Sequence, residues 1–522
     1  TGRYENMNNM RVSTNGGLVT ENWFDLNASR YTPSSTLQRM ELLKTGYMGT
    51  LSLGWDNYLF LELTGRQERS STLKDQSFFY PSANLSFLFT QAFHMPSWWN
   101  YGKLRLSYGI VGNAPETYTA NIVYEQGSDN GFTWNTIPSS WGNADIRPEK
   151  KYEYEIGLES KFLNNRLGID ISYYNNRVKD QILSTPQPST SGVKNVLMNV
   201  GEVANHGWDI SISATPILTR DFRWDLTANY GVYKNKVVKL ADGVPYLEIL
   251  NSGGSGIKIQ AVEGQPMGDI YAQVPQVNEN GEYLVSDKGL YLNQTELQKV
   301  GNINPAGVGG LFNSFSYKNV FLDFSIDFRI GGDVINEMNQ YATAVGLTPE
   351  SLKYRDTEHG GLSYYYPGDN NSSGIPVQVD PSTGAGPNGE IIYHDGIILP
   401  GVVASTGERN TRIIPAGYYY NTTYNWGTEA EQLTYRHSVF DNSYVKLREL
   451  TIGYQFPEKM ISKLGLGRLS VSVFGRNLFY FYKALKNYDA ESSVGTSWAN
   501  QATVGSSTTA TRSFGVSLRA SF

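Results

Sequence analysis

Five histidines, His94, His206, His359, His394 and His437, are the side chains here best able to bind a transition metal or move a proton near neutral pH. A metal site needs two or more such ligands at short, regular spacing, and no pair of these has it. His359 beside Asp356 and Glu358, and His394 beside Asp395, come nearest to an acid–base or metal cluster, and read more simply as solvated loop residues. Cysteine is absent, which removes a thiol nucleophile, a thiolate ligand and a disulfide framework. Asn278, Asn280 and Gly281 echo a calcium loop but lack the acidic first and last ligands, so a hairpin turn is expected there. Gly307, Gly309 and Gly310 precede no helix and do not form a dinucleotide fingerprint; they are expected to relieve crowding at a sheet rim. No acid, base and nucleophile cluster in the sequence, so no catalytic residue, metal or cofactor is assigned and the chain is not expected to be an enzyme.

The remaining candidates are aromatic. Tyr364, Tyr365 and Tyr366, and Tyr418, Tyr419 and Tyr420, lie in the longest connection between periodic segments. Tyrosine rings stack on sugars or cover peptide side chains while the hydroxyl supplies a donor, which makes these six the candidate substrate-binding residues. Packing within the loop, or an interfacial belt, is the competing reading. Trp98 and Trp99, beside a short turn, are expected in an aromatic girdle.

These residues need a scaffold, and composition indicates its kind. In 522 residues there are 53 Gly, 36 Tyr, 22 Phe and 10 Trp with 18% charged residues, a mixture that favours strands over helices. The net charge of −6 leaves no basic excess for nucleic acid, which is excluded as a partner. No run approaches the roughly 18–20 apolar residues of a membrane helix, but a transmembrane strand needs only about ten, half of them facing lipid.

Period-2 alternation dominates the chain. Tyr152, Tyr154, Ile156 and Leu158 alternate with Glu153, Glu155, Gly157 and Glu159, and after a turn at Leu163, Asn164 and Asn165 the pattern resumes with Leu167, Ile169, Ile171 and Tyr173. Strands are expected at 3–12, 18–29, 46–55, 58–67, 83–93, 103–111, 152–162, 166–177, 207–216, 222–234, 310–318, 320–331, 442–455, 468–479 and 511–522. From the third strand on, every second connection is long, as at 112–151, 235–309 and 332–441. Short turns alternating with long loops are the sequence signature of an outer-membrane barrel, with one rim in the periplasm and an elaborated rim outside. The expected fold is an all-β, transmembrane antiparallel barrel. About 15 strands is an odd number, so in a simple meander the first and last run the same way and cannot pair antiparallel. The 1–522 chain is therefore expected to be the C-terminal part of a barrel of about 22 strands, with about seven strands and a lumen plug encoded before Thr1.

Several segments carry a family likeness: FFYPSANLSFLFT at 78–90, LRLSYGIVGNA at 104–114, RPEKKYEYEIGLESKF at 147–162, SYVKLRELTIGYQFP at 443–457 and FGRNLF at 474–479. Together with the acidic stretch Asp489 to Glu491 they resemble the SusC/RagA family of TonB-dependent outer-membrane transporters, over essentially the whole chain. The resemblance implies import of oligosaccharides or oligopeptides across the outer membrane of a Gram-negative bacterium. It further implies a SusD-like surface lipoprotein as lid, and a TonB complex acting through an N-terminal region and plug that this chain does not contain. A passive porin or an adhesin barrel is the alternative function. Phe514, Val516, Leu518, Ala520 and the terminal Phe522 alternate with Gly515, Ser517, Arg519 and Ser521, and the closing aromatic resembles the sorting signal of membrane barrels.

Overall fold

A computed structural model describes the chain apart from residues 75–76, 130–131, 188, 253–255, 369–373, 426–433, 463–464, 494, 496 and 506–507. Fourteen long strands lie in chain order in one sheet: β1 Gly2–Leu18, β2 Ser29–Trp55, β3 Leu59–Ser70, β4 Ser77–Phe87, β5 Trp99–Asn113, β6 Glu149–Phe162, β7 Leu167–Lys179, β8 Glu202–Leu218, β9 Phe222–Lys239, β10 Gly307–Tyr317, β11 Val320–Ile330, β12 Tyr444–Gln455, β13 Arg468–Lys483 and β14 Ser513–Ser521. The chain divides into two compact units, the first built mainly from residues 1–165 and 170–208, the second mainly from 209–234 and 246–522.

In the first unit the sheet is inverted relative to a soluble protein. Tyr154, Ile156 and Leu158 of β6 are 47%, 48% and 40% exposed, and Leu106 of β5, cross-strand partner of Ile156, is 38% exposed. The opposite face is polar and interlocked. Arg105 of β5 donates to Asp170 of β7 at 2.6 and 3.2 Å and lies 3.5 Å from Glu159 of β6. Gly157, its register partner, leaves the space: a Cβ there would sit 2.8 Å from the guanidinium. A sheet that exposes its aliphatic side and ties up its polar side is stable where the outer solvent is hydrocarbon. Short turns are made by residues that tolerate left-handed backbone, with φ of 48° and 56° at Asp56 and Asn57 and 58° and 63° at Asn164 and Asn165.

Among the described residues the large sheet has fourteen strands, where the sequence suggests about fifteen. Residues 19–25 form a turn, Asp25 caps a short 3-10 turn at Leu26–Ala28, and the two strands expected at 18–29 and 46–55 are replaced by the single strand β2. Its first half was obscured by Pro33, which cannot donate to a ladder; the structure places Pro33 at a register shift between β1 and β2, where no donor is required. With an even number the parity argument against pairing the first and last strands lapses. The register raises a different point. β1 pairs with residues 29–45 of β2, whereas β3 pairs with 44–55, so the stretch from Tyr47 to Trp55 is flanked by β3 on one side only among the described residues.

In the second unit the same inversion holds: Ile452 of β12, Val473 of β13 and Phe514, Val516 and Leu518 of β14 are 54–72% exposed. The long connections here are folded rather than open. One four-stranded sheet comprises Tyr246–Ser252, Ile257–Val262, Asp269–Ala272 and Gln298–Asn302, and another Val377–Gln378, Leu362–Tyr365, Tyr393–Ile397 and Ile414–Pro415. Among the described residues these connections also carry the helices α1 Glu337–Ala344 and α2 Ala416–Tyr424. Three loops share one core, in which Ile257, Ile259, Ile270 and Ile303 from the first pack with Ile335, Tyr435 and Val439 from the second and Ala499 and Ala502 from the third.

Candidate functional site

The six tyrosines sit in this folded loop region, on either side of one short strand. Ile413 packs with Tyr364 and Tyr366, while its neighbour Ile414 packs with Leu290, Ile397, Leu399 and the rings of Tyr418 and Tyr419. Ile414 opens the short strand Ile414–Pro415 and Ile413 precedes it, and the two side chains enter different clusters, so the two runs occupy adjoining clusters rather than one wall.

Tyr364 is 1% exposed. Its hydroxyl donates to Asp395 Oδ1 at 3.1 Å, and its ring stacks on Tyr393 and meets the edge of Tyr366, both at 5.5 Å. Burial, reinforced by the Asp395 charge, pushes its phenol far above the ordinary range. Tyr366 is buried as well, and Tyr365, on the other side of the strand, is half-buried. On α2, Tyr420 is buried and its hydroxyl donates to the carbonyls of Glu350 at 2.9 Å and Lys353 at 3.3 Å, with burial pushing its pKa up to about 12. Tyr418 and Tyr419 are half-buried. Tyr424, one turn beyond Tyr420, stacks on the imidazole of His437 at 4.3 Å, and burial there, with Arg436 adding to it, pushes the histidine down to about 4.

The other singled-out residues have local roles. His359 Nδ1 lies 2.7 Å from Asp356 Oδ1, and His394 Nδ1 2.9 Å from Ser363 Oγ. Among the described residues no three His, Asp or Glu side chains converge as a metal-binding group. Asn278 Oδ1 accepts from the backbone N–H groups of Asn280 and Glu282, closing the expected hairpin turn, with Gly281 at φ 79°. Gly307 and Gly309 lie in β10 under the rings of Tyr230 and Phe328, which a Cβ would strike. Trp98 and Trp99 form an aromatic group with Phe162 and Phe89 at centroid distances of 5.2–6.0 Å.

One constellation was not found from sequence. Lys446 and Arg448 in β12 converge on Glu491 in the last loop. Arg448 donates to Glu491 Oε1 at 2.5 Å and Oε2 at 2.9 Å, and to Asp327 Oδ2 of β11 at 2.6 Å. Lys446, 2% exposed, pairs with the same carboxylate. Burial alone would raise the Glu491 pKa, but the hydrogen bonds from Arg448 and Lys446 hold it below the usual value. A lysine and an arginine two apart among Val445, Leu447 and Leu450 was the available signal; the acidic partner is 43–45 residues away.

An inverted sheet with a polar, ion-paired side and long folded loops defines an outer-membrane β-barrel protein. Residues 2–277, more than half of the chain, match the family model described as TonB dependent receptor-like, beta-barrel, and the chain belongs to that family. It is 24% identical over 494 residues to TonB-dependent receptor P3 of Formosa agariphila, covering 86% of this chain and 42% of that protein. It is 30% identical over 247 residues to the TonB-dependent receptor SusC of Bacteroides thetaiotaomicron, covering 44% of this chain and 24% of that one. Its fold matches a chain in the structure of the RagAB peptide transporter with a TM-score of 0.65 at 18% identity, over 92% of this chain and 49% of the other. The SusC/RagA likeness read from the sequence is thus met in both comparisons, and the protein is placed in the outer membrane of a Gram-negative bacterium. The chain spans less than half the length of the relatives it matches.

Proposed function

We propose that this chain is the C-terminal portion of a TonB-dependent importer that takes up oligosaccharides or oligopeptides together with a SusD-like surface lipoprotein. The observation that carries this reading is the sheet of the first unit, with an aliphatic face suited to lipid and an ion-paired face around Arg105, Asp170 and Glu159 suited to a wet lumen. Membership of the receptor family favours gated import over a passive porin or an adhesin. The plug, the TonB-contacting segment and the remaining strands belong to sequence outside this chain. A further strand beside Tyr47–Trp55 satisfies the backbone groups that an edge would leave unpaired in lipid, where each costs several kcal/mol. In this reading Tyr364, Tyr366 and Tyr420 hold the loop surface in shape, and the half-buried Tyr365, Tyr418 and Tyr419 offer rings to the substrate. No catalytic role is assigned to any residue.

The test uses cells with and without the gene for the full-length protein, supplied with labelled oligosaccharide or labelled oligopeptide pools. Loss of uptake of one pool supports import and names the substrate class. Unchanged uptake of both overturns it. Tyr365→Ala with Tyr418→Ala is expected to weaken substrate binding without reducing the amount of assembled barrel; unchanged binding removes these rings from the site.

A further inference from the structure

The last loop, 484–512, is attached in two chemically different ways. At the wall the attachment is ionic and polar. Glu491 receives Arg448 and Lys446, Tyr480 Oη donates to Asp489 Oδ1 at 2.6 Å, and Lys483 Nζ donates to the Tyr488 carbonyl at 2.6 Å. The N–H of Ala510 closes the loop onto Asp489 Oδ2 at 2.8 Å. Towards the other loops the attachment is mainly apolar. Leu485 and Val504 are buried with Val334, and Ala499 and Ala502 enter the core formed by Ile257, Ile259, Ile270 and Ile335. Polar contacts add to it, with Asn487 Nδ2 donating to Asn339 Oδ1 of α1 at 3.0 Å and the Val504 N–H to the Ile335 carbonyl at 2.9 Å.

These two attachments differ in strength and in what weakens them. Ile257, Ile259, Ile270 and Ile335 are fully buried, and such burial is insensitive to salt. Glu491 and Arg448 keep roughly a quarter to a third of their side-chain surface, so their pairing is hydrated and screened by ions, whereas Lys446, on the same carboxylate, is buried and feels salt less. We propose that Glu491, paired with Arg448 and Lys446 and backed by the Tyr480–Asp489 hydrogen bond, is a releasable anchor that holds a single three-loop cap on β12 and β13, the cap moving as one body when the anchor opens.

This chain has no cysteine, so spin labels can be placed in it by single Cys substitutions once any cysteine elsewhere in the full-length protein is replaced by serine. In the full-length protein in nanodiscs, one label pair joins cap to wall, Leu347→Cys with Lys318→Cys, and a second lies within the cap, Leu347→Cys with Glu279→Cys. Pulsed electron-resonance distances are read for the parent, for Glu491→Gln, for the charge swap Lys446→Glu with Glu491→Lys, and for the parent in about 0.1 and 1 M salt, where the screening length falls from roughly 10 to 3 Å. Glu491→Gln and high salt are expected to add a second, displaced cap-to-wall population while the within-cap distance stays single and narrow, and the swap, which sets the new lysine against Arg448, is expected to enlarge that population. Broadening of both distances overturns the single-body cap. No change in either, under substitution and high salt alike, overturns the anchor. If Glu491→Gln fails to assemble, the salt series on the parent decides.

Discussion

Replacing Ile156 with arginine separates this wall from any soluble sheet. Ile156 lies mid-strand in β6, 48% exposed, paired across to Leu106 and flanked on its own face by Tyr154 and Leu158. In water an exposed surface substitution of this kind changes stability by no more than about 0.5 kcal/mol. Facing hydrocarbon near the midplane, an arginine costs about 2–4 kcal/mol, a factor of roughly 30 to 700 in the folding equilibrium at 1.4 kcal/mol per tenfold. The neighbouring Glu155→Ala, on the polar face, is expected to cost about 1 kcal/mol or less, since it removes a carboxylate from a wet lumen. The assay is a urea titration of the full-length protein folding into lipid vesicles, read by heat-resistant mobility in gels and by tryptophan emission. A cost for Ile156→Arg under about 0.5 kcal/mol, or equal costs for both variants, would mean that this face does not meet lipid.

Gly157→Val places a Cβ 2.8 Å from Arg105 and is expected to cost about 1–3 kcal/mol in the same titration, with part of the loss recovered when Arg105 is also shortened to Ala. His437 has a folded pKa depressed to about 4 against an ordinary value near 6.5, so its packing under Tyr424 is fully favourable above about pH 6.5 and weakens as pH falls towards 4. Amide protection factors in Ala416–Tyr424, taken relative to the intrinsic exchange rate at each pH, should therefore fall over that window, and His437→Phe should flatten the response. Deleting 332–441 removes Ile335, Tyr435 and Val439 from the shared core, so proteolysis is expected to reach 246–305 and 484–512 as well while the wall strands still assemble; a cut pattern confined to the deletion junction would argue against a shared core.

Much of the wall was legible because its information is local. The alternation around Tyr152–Leu158 and Leu167–Tyr173, with three turn residues between, dictates a hairpin and both its faces. β2 was misread where locality fails: Pro33 and the polar run Ser34, Ser35 and Thr36 look like loop, and only pairing with β1 makes them strand. The loops were opaque for the same reason. Ile257, Ile335 and Ala502 share a core although each comes from a different connection, and no periodicity links them. A tyrosine run looks the same whether its rings stack on a sugar or, as at Tyr364 and Tyr393, on each other. Lys446 in a strand of aliphatic residues signals a buried charge, but not that its partner is Glu491.

The central claim, energised import through this wall, is tested most directly by measuring uptake of the labelled substrate pool in cells carrying the full-length protein, with TonB present and with TonB deleted. The account predicts that surface binding persists without TonB while accumulation in the periplasm falls to the level of cells lacking the protein. Accumulation that continues undiminished without TonB would contradict it and leave a passive pore.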